Sequence, residues 1–241
     1  MKERVIGVLG GMGPEATLAF YSWILRLTPA ERDQDHLRVL IDSNPRIPDR
    51  TAALLHGGPS PVPAIREGIA ALRRAGADFV VIPCVSAHAF LEEIRAAAEL
   101  PIVSLFDVTA EAIRTRHPGI RRLGLLATTG TIRAGALQRR LAREGLETLV
   151  PPAEGQEIVM RTIYGVKAAA GEADRGRLRE AVRAVADRLL SAGAEGVIAG
   201  CTEIPLVLGA GDLPVPFFDT LRLLAEAAVS AAGRTPRADV P

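Results

Sequence analysis

The feature that most constrains this chain is an internal repeat. Ala75-Gly76-Ala77-Asp78-Phe79-Val80-Val81-Ile82-Pro83-Cys84 matches Ala192-Gly193-Ala194-Glu195-Gly196-Val197-Ile198-Ala199-Gly200-Cys201, an offset of 117 residues (201 against 84). The same offset carries Ile6-Gly7-Val8-Leu9 onto Leu123-Gly124-Leu125-Leu126 (124 against 7). A third pair, Pro101–Asp107 against Pro214–Asp219, follows in order at an offset of 112 to 113 (219 against 107, 214 against 101). Three matched segments in one order predict two similar halves. The chain has 2 cysteines, and each closes a strand-like apolar run at equivalent places in the two copies. If the halves face one another about a pseudo-twofold, the sulfurs meet across the cleft.

Short apolar runs alternate with amphipathic stretches. Strands are predicted at Val5–Leu9, Leu37–Ile41, Phe79–Ile82, Ile102–Leu105, Leu123–Leu126, Thr148–Val150, Val197–Ala199 and Val215–Phe217. Between them, Val62–Ala75 sets Ile65, Ile69 and Leu72 on one helical face, and Leu178–Ala192 does the same with Val182, Val185, Leu189 and Leu190. Helices are also expected over Val108–Arg116 and about Thr220–Ala232, with a frayed polar tail from Gly233. The pattern predicts an α/β fold of two similar lobes, each a parallel sheet flanked by helices. Residues 1–100 plus 214–241 form the first lobe and 101–213 the second. Such sheets carry their functional loops at the carboxyl ends of the strands, where both cysteines fall.

Composition excludes several partners. The 29 basic and 28 acidic residues nearly balance, so no strong field favours nucleic acid or an anionic membrane. No run approaches the roughly 18 apolar residues of a membrane span, and Val5–Leu9 is too short for a signal peptide. A cytoplasmic protein with reduced thiols is expected. Two cysteines 117 residues apart (201 against 84) with no clustered histidine do not make a zinc pattern.

Other segments carry chemistry of lower specificity. Gly10-Gly11-Met12-Gly13-Pro14 lets backbone approach a ligand, and Pro14 suits a first helical turn. The free amides of that helix start would hold a carboxylate or phosphate. Gly11-x-Gly13-x-x-Ala16 with Asp42 also fits a loose dinucleotide fingerprint, and a tight turn without a ligand is the plain alternative. Leu126–Thr131 ends the mirrored strand and reads as a second anion cradle or as a threonine helix cap. Arg50 can grip a carboxylate with two prongs. The chain's lysines are Lys2 and Lys167 alone among 29 basic residues, which marks Lys167 as a place where a compact ammonium is needed. His88, four residues after Cys84, is either a thiol partner or a loop-orienting group.

Gly10–Pro14, Ile47-Pro48-Asp49-Arg50-Thr51, Pro83-Cys84-Val85-Ser86-Ala87-His88, Ile163-Tyr164-Gly165-Val166-Lys167 and Gly200-Cys201-Thr202-Glu203-Ile204 together resemble the aspartate/glutamate racemase family, nearest its aspartate racemase branch. The resemblance spans nearly the whole chain. It implies a cofactor-independent, two-lobed enzyme, usually a homodimer, acting on an acidic amino acid without metal. By this similarity Cys84 and Cys201 are the two catalytic bases, Glu203 polarises the second, and Arg50 and Lys167 hold the substrate's side-chain carboxylate. Met12, Thr128, Thr131 and Thr202 match pocket-lining segments. The implied mechanism is proton removal at Cα by one cysteine and return by the other, with one thiol lowered from its usual pKa of about 8.5, by helix-start amides beside Cys84 or Cys201. One departure stands out: the family's usual Asn-Thr after the first cysteine is here Val85-Ser86, which removes an amide from the pocket. Relatives by fold include malonate decarboxylases, maleate isomerases and hydantoin racemases, and a non-catalytic amino-acid-binding protein is the alternative outside enzymology.

Overall fold

A computed structural model describes residues 3–168, 171–238 and 240. The first half runs β1 (Ile6–Gly10), α1 (Pro14–Leu27), β2 (Val39–Ser43), α2 (Arg50–Leu55), α3 (Val62–Arg74), β3 (Phe79–Val81), α4 (Leu91–Arg95) and α5 (Leu105–Arg116). The second runs β4 (Arg122–Ala127), α6 (Thr129–Ala134), α7 (Ala136–Ala142), β5 (Glu147–Leu149), α8 (Ala153–Lys167), α9 (Glu172–Ser191), β6 (Gly196–Gly200), β7 (Phe217–Asp219) and α10 (Thr220–Ala231).

The strands form two parallel sheets, ordered β2-β1-β3 and β5-β4-β6-β7. The repeat is visible in this topology. β1 corresponds to β4, β2 to β5 and β3 to β6, and a parallel bridge between Val80 and Ile102 takes the place of β7. The central strands β1 and β6 are buried along their whole length and β4 from its second residue, as expected of parallel strands covered on both faces.

Side-chain alternation sorts each strand between two cores. Ile6, Val8, Phe79 and Val81, with Leu123 and Leu125, face a cluster shared by both halves and filled by α1, α5 and α10. Leu9, Val80 and Ile82 face outward onto α3 (Ile65, Ile69, Leu72). Leu126 and Val197 face α8 and α9 (Val159, Ile163, Val182, Val185, Leu189). At about 1.5–3 kcal/mol per fully buried large aliphatic side chain, the shared cluster ties the halves firmly together.

Besides shifts of a residue or two at strand ends and a start of α9 six residues earlier than expected (172 against 178), three differences have a clear physical cause. The strand predicted at Ile102–Leu105 is a single bridge, because Ser104 Oγ accepts the Asp107 N–H at 3.2 Å and starts α5 at Leu105. The strand predicted at Val215–Phe217 begins at Phe217, since Pro216 has no N–H for the ladder and its carbonyl serves Val197 instead. The tail is held at its described residues 234–238: the Arg237 N–H donates to Leu27 O at 2.8 Å, and the Arg234 side chain reaches Asp35 O and Glu3; positions 239 and 241 lie outside the described residues.

Candidate active site

Cys84 lies just past β3 and Cys201 immediately past β6, at the carboxyl ends of corresponding strands. Both are free and buried. They line one enclosed cavity together with Met12, Arg50, Val85, Ser86, Thr128, Lys167, Thr202 and Glu203. The water-accessible space there is about 10 Å³, room for roughly one water molecule. Of the site residues implied by the resemblance, Thr131 is not on the wall, nor are His88 and Asp42, singled out on other grounds. Thr131 supports Thr128, whose hydroxyl accepts the Thr131 N–H at 3.1 Å and lies 3.0 Å from the Thr131 hydroxyl. Thr128 is thus both the cap of α6 and a wall of the cavity, so its cap is what that helix start binds.

The glycine loop is filled from within. Gly11 has φ +86°, and a Cβ there would lie 2.3 Å from the Asn44 backbone, so only glycine fits. Its N–H donates to Thr17 Oγ1 at 2.8 Å, and the Gly13 N–H donates to Glu203 Oε1 at 3.2 Å. The start of α1 does hold a carboxylate, as expected of such a terminus, but the carboxylate belongs to the protein. The two glycine amides that a diphosphate would need are thus taken by the protein's own side chains, which weighs against the dinucleotide reading.

Glu203 is the hub. It is 2% exposed, and both oxygens are fully engaged. Oε1 accepts from Lys167 Nζ at 2.6 Å and from Gly13 N; Oε2 accepts from Cys201 Sγ at 2.9 Å and from Thr202 Oγ1 at 3.4 Å. Lys167, the last residue of α8, also donates to Met12 O at 3.1 Å. Burial works against its charge, yet Glu203 and the two cysteine sulfurs outweigh it, so its pKa lies above the ordinary lysine value.

Arg50 is the first residue of α2, capped by Asp49, whose side chain accepts the Ala52 N–H at 2.7 Å. Its Nη1 donates to the carbonyls of Ile47 (3.2 Å) and Pro48 (3.0 Å), and Nη2 to Met12 O at 3.3 Å. Nε is buried without a partner. Burial opposes the guanidinium charge, but the neighbouring Cys84 sulfur and Asp49 more than offset it, and the pKa is raised.

The two thiols have different surroundings. Cys84 Sγ has Ser86 Oγ at 3.5 Å and Arg50 nearby. Cys201 is pushed well above the ordinary thiol value, first by burial and then by the charge of Glu203. The expectation that helix-start amides lower a thiol is therefore reversed at Cys201, where burial and, after it, an adjacent carboxylate raise it. Nor does His88 pair with a sulfur: its Nδ1 lies 2.9 Å from the Cys84 carbonyl oxygen, so it orients the loop. Val85 is 2% exposed and presents an apolar wall that continues into the shared core.

The roof is where the halves meet. α2 packs on α6, and Gly130 permits the approach, since a Cβ there would lie 2.9 Å from Thr51 Oγ1. Asp49, Thr51, Ile163 and Tyr164 also line the cavity, though none was chosen from the sequence. Ile163 and Tyr164 stand four and three residues before Lys167, on one face of α8, a spacing that was readable. Asp49 and Thr51 flank Arg50. Among the described residues, no three His, Cys, Asp or Glu side chains are grouped to hold a metal, and no helix is long and apolar enough to cross a membrane.

A family model described as Asp/Glu/Hydantoin racemase matches residues 9–228. The chain belongs to that family. The broad specificity amino-acid racemase RacX of Bacillus subtilis (strain 168) is 27% identical over 230 residues, 94% of this chain and 97% of the relative. The structure of Picrophilus torridus aspartate racemase superposes with a TM-score of 0.87 at 30% identity, covering 97% of this chain and 96% of that one. Glutamate racemase from Francisella tularensis subsp. tularensis SCHU S4, at 16% identity and a TM-score of 0.67 over 96% of this chain and 81% of that one, shares the fold. This family member is an isomerase, an amino-acid racemase, and the two-lobed α/β architecture is that of its structural neighbours.

Proposed function

We propose that the protein interconverts the enantiomers of a small acidic amino acid, aspartate or glutamate, by two-base proton transfer at Cα between Cys84 and Cys201, without a cofactor. The observation that carries this reading is the pair of buried thiols at equivalent strand ends lining one cavity beside a buried guanidinium. One sulfur takes the Cα proton, the electron pair delocalises into the α-carboxylate, and the other sulfur delivers a proton to the opposite face. The threonine hydroxyls along the wall are suited to stabilise the charge that develops on the carboxylate. Arg50, with Nε unused, supplies the recognition of an anionic side chain. The resting cavity is far smaller than an amino acid, so the roof of α2 over α6 opens for entry.

A second reading, turnover of less polar amino acids, is favoured by the apolar wall at Val85. RacX, similar over most of its length, carries a broad-specificity name. The proposal extends to a cytoplasmic homodimer, which light scattering tests, and to the lobe division 1–100 plus 214–241 against 101–213: the packing of α10 on α1 supports it, while the pairing of β7 with β6 and of Ile102 with Val80 moves its seams past those strands.

The deciding experiment incubates a panel of L-amino acids in D₂O with no added cofactor and reads chirality and Cα deuteration. L-Aspartate or L-glutamate is expected to give the labelled D-enantiomer. Failure of every amino acid in the panel, with folded protein, sinks the reading.

A further inference from the structure

We infer that Glu203 is a positioning residue that makes the two thiols unequal in the resting protein, holding the proton on Cys201 and leaving Cys84 as the sulfur free to act as base. This rests on the two-cysteine reading above and adds an order to it.

The argument is one of donors and acceptors. Lys167 Nζ lies 2.6 Å from Glu203 Oε1, and the Gly13 N–H points at the same oxygen. With an ammonium and an N–H both directed at it, the buried Glu203 side chain has the surroundings of a carboxylate, which only accepts. Cys201 Sγ, 2.9 Å from Oε2, is therefore the donor and carries hydrogen. A thiolate in its place would set two negative charges side by side in a buried pocket. Nothing comparable pins a proton on Cys84: its hydrogen-bonding neighbour is a hydroxyl at 3.5 Å that serves as donor or acceptor, and the guanidinium of Arg50 faces it.

The consequence is a preferred first step. The resting protein accepts the enantiomer whose Cα–H points at Cys84: the proton passes to that sulfur, the electron pair stays on the substrate, and Cys201 S–H gives its proton to the other face. Cys201 is then a thiolate beside Glu203, a state the pocket disfavours. The protein resets by moving a proton from Cys84 back to Cys201 before the next turnover of the same hand.

Iodoacetamide labelling near neutral pH, followed by peptide mass spectrometry, tests this. Cys84 is expected to be alkylated ahead of Cys201 by about tenfold or more, since the thiolate is the nucleophile. In Glu203→Gln, Cys201 is expected to speed up by about tenfold, its charged neighbour gone and Lys167 left without a counter-charge, while Cys84, farther from the lost carboxylate, changes less, so the Cys201-to-Cys84 ratio is the readout. Equal labelling in wild-type protein, or Cys201 first, overturns the inference whether or not the variant folds. A folded Glu203→Gln with an unchanged ratio overturns the role of Glu203. If no amino acid is racemised but the labelling order holds, the proposed function fails and the inequality of the thiols stands.

Discussion

His88 Nδ1 lies 2.9 Å from the Cys84 carbonyl oxygen while its ring is buried against Phe106, 5.4 Å between centroids. A carbonyl accepts, so Nδ1 carries the hydrogen, and Nε2 is left without a partner. Burial holds the imidazole down to about 4, outweighing the carbonyls of Cys84 and Val103, which favour protonation. The unfolded chain binds this proton at about 6.5, so the unfolded state takes up more protons between these values. Stability is therefore present above pH 6.5 and lost as pH falls toward 4, by up to about 3 kcal/mol. Asp219, raised to about 6 by desolvation, gains stability over the same fall in pH and opposes this loss. Urea unfolding of wild type and His88→Asn at pH 7 and pH 4.5 isolates the histidine: the variant, which keeps a donor without the titration, is expected to lose less, or gain more, stability at the lower pH.

Loss of either thiol is expected to abolish racemisation. General acid–base groups contribute about 10²–10⁴-fold, and Cys84→Ala and Cys201→Ala should each fall at least that far in chiral assays. Full activity in either single variant removes the two-base scheme.

Val85→Asn tests the apolar wall. One new hydrogen bond to substrate, at about 1.4 kcal/mol, raises kcat/KM for aspartate about tenfold. The same amide, buried where a valine packs into the shared core, costs about 1–3 kcal/mol in the free protein. A rise in activity with a fall in Tm is the expected pair of results.

Lys167→Met leaves Glu203 buried with three weaker donors. Removing one partner of a buried ion pair costs about 3–5 kcal/mol; the remaining bonds from Gly13, Cys201 and Thr202 hold the expected loss near the lower figure. Denaturation at neutral pH reads it, and adding Glu203→Gln to Lys167→Met should recover part of the loss.

Gly130→Ala pushes on Thr51, with contacts of 2.9 Å to Oγ1 and 3.0 Å to Cα. Overpacking of this kind costs about 1–3 kcal/mol. Because the contact joins α2 to α6 over the cavity, a larger loss in kcat than in Tm is expected.

Much of this site was legible because it is local or repeated. Both cysteines declared themselves through the duplicated strand ends, and Lys167 through its rarity among arginines. What Lys167 does was not legible, since its partner Glu203 lies 36 residues on in another element. The same holds for the glycine loop, whose Gly13 amide is met by a carboxylate 190 residues away. Local pattern identifies an anion-binding helix start but not whose anion arrives. The early end of the strand at Ile102 was written in Ser104-x-x-Asp107, a cap signal outweighed by the apolar run before it. Docking of the tail on Leu27 depends on backbone groups that leave no trace in side-chain pattern.

A chamber that holds about one water at rest sets a rule for anything that visits it. On the proposed entry between α2 and α6, a substrate spreads the two helices on arrival and a product does so again to leave. Viscous solvents should then slow steady-state turnover while leaving proton exchange inside the closed complex untouched, so the seam at Thr51 and Gly130 governs the pace of traffic rather than the chemistry within.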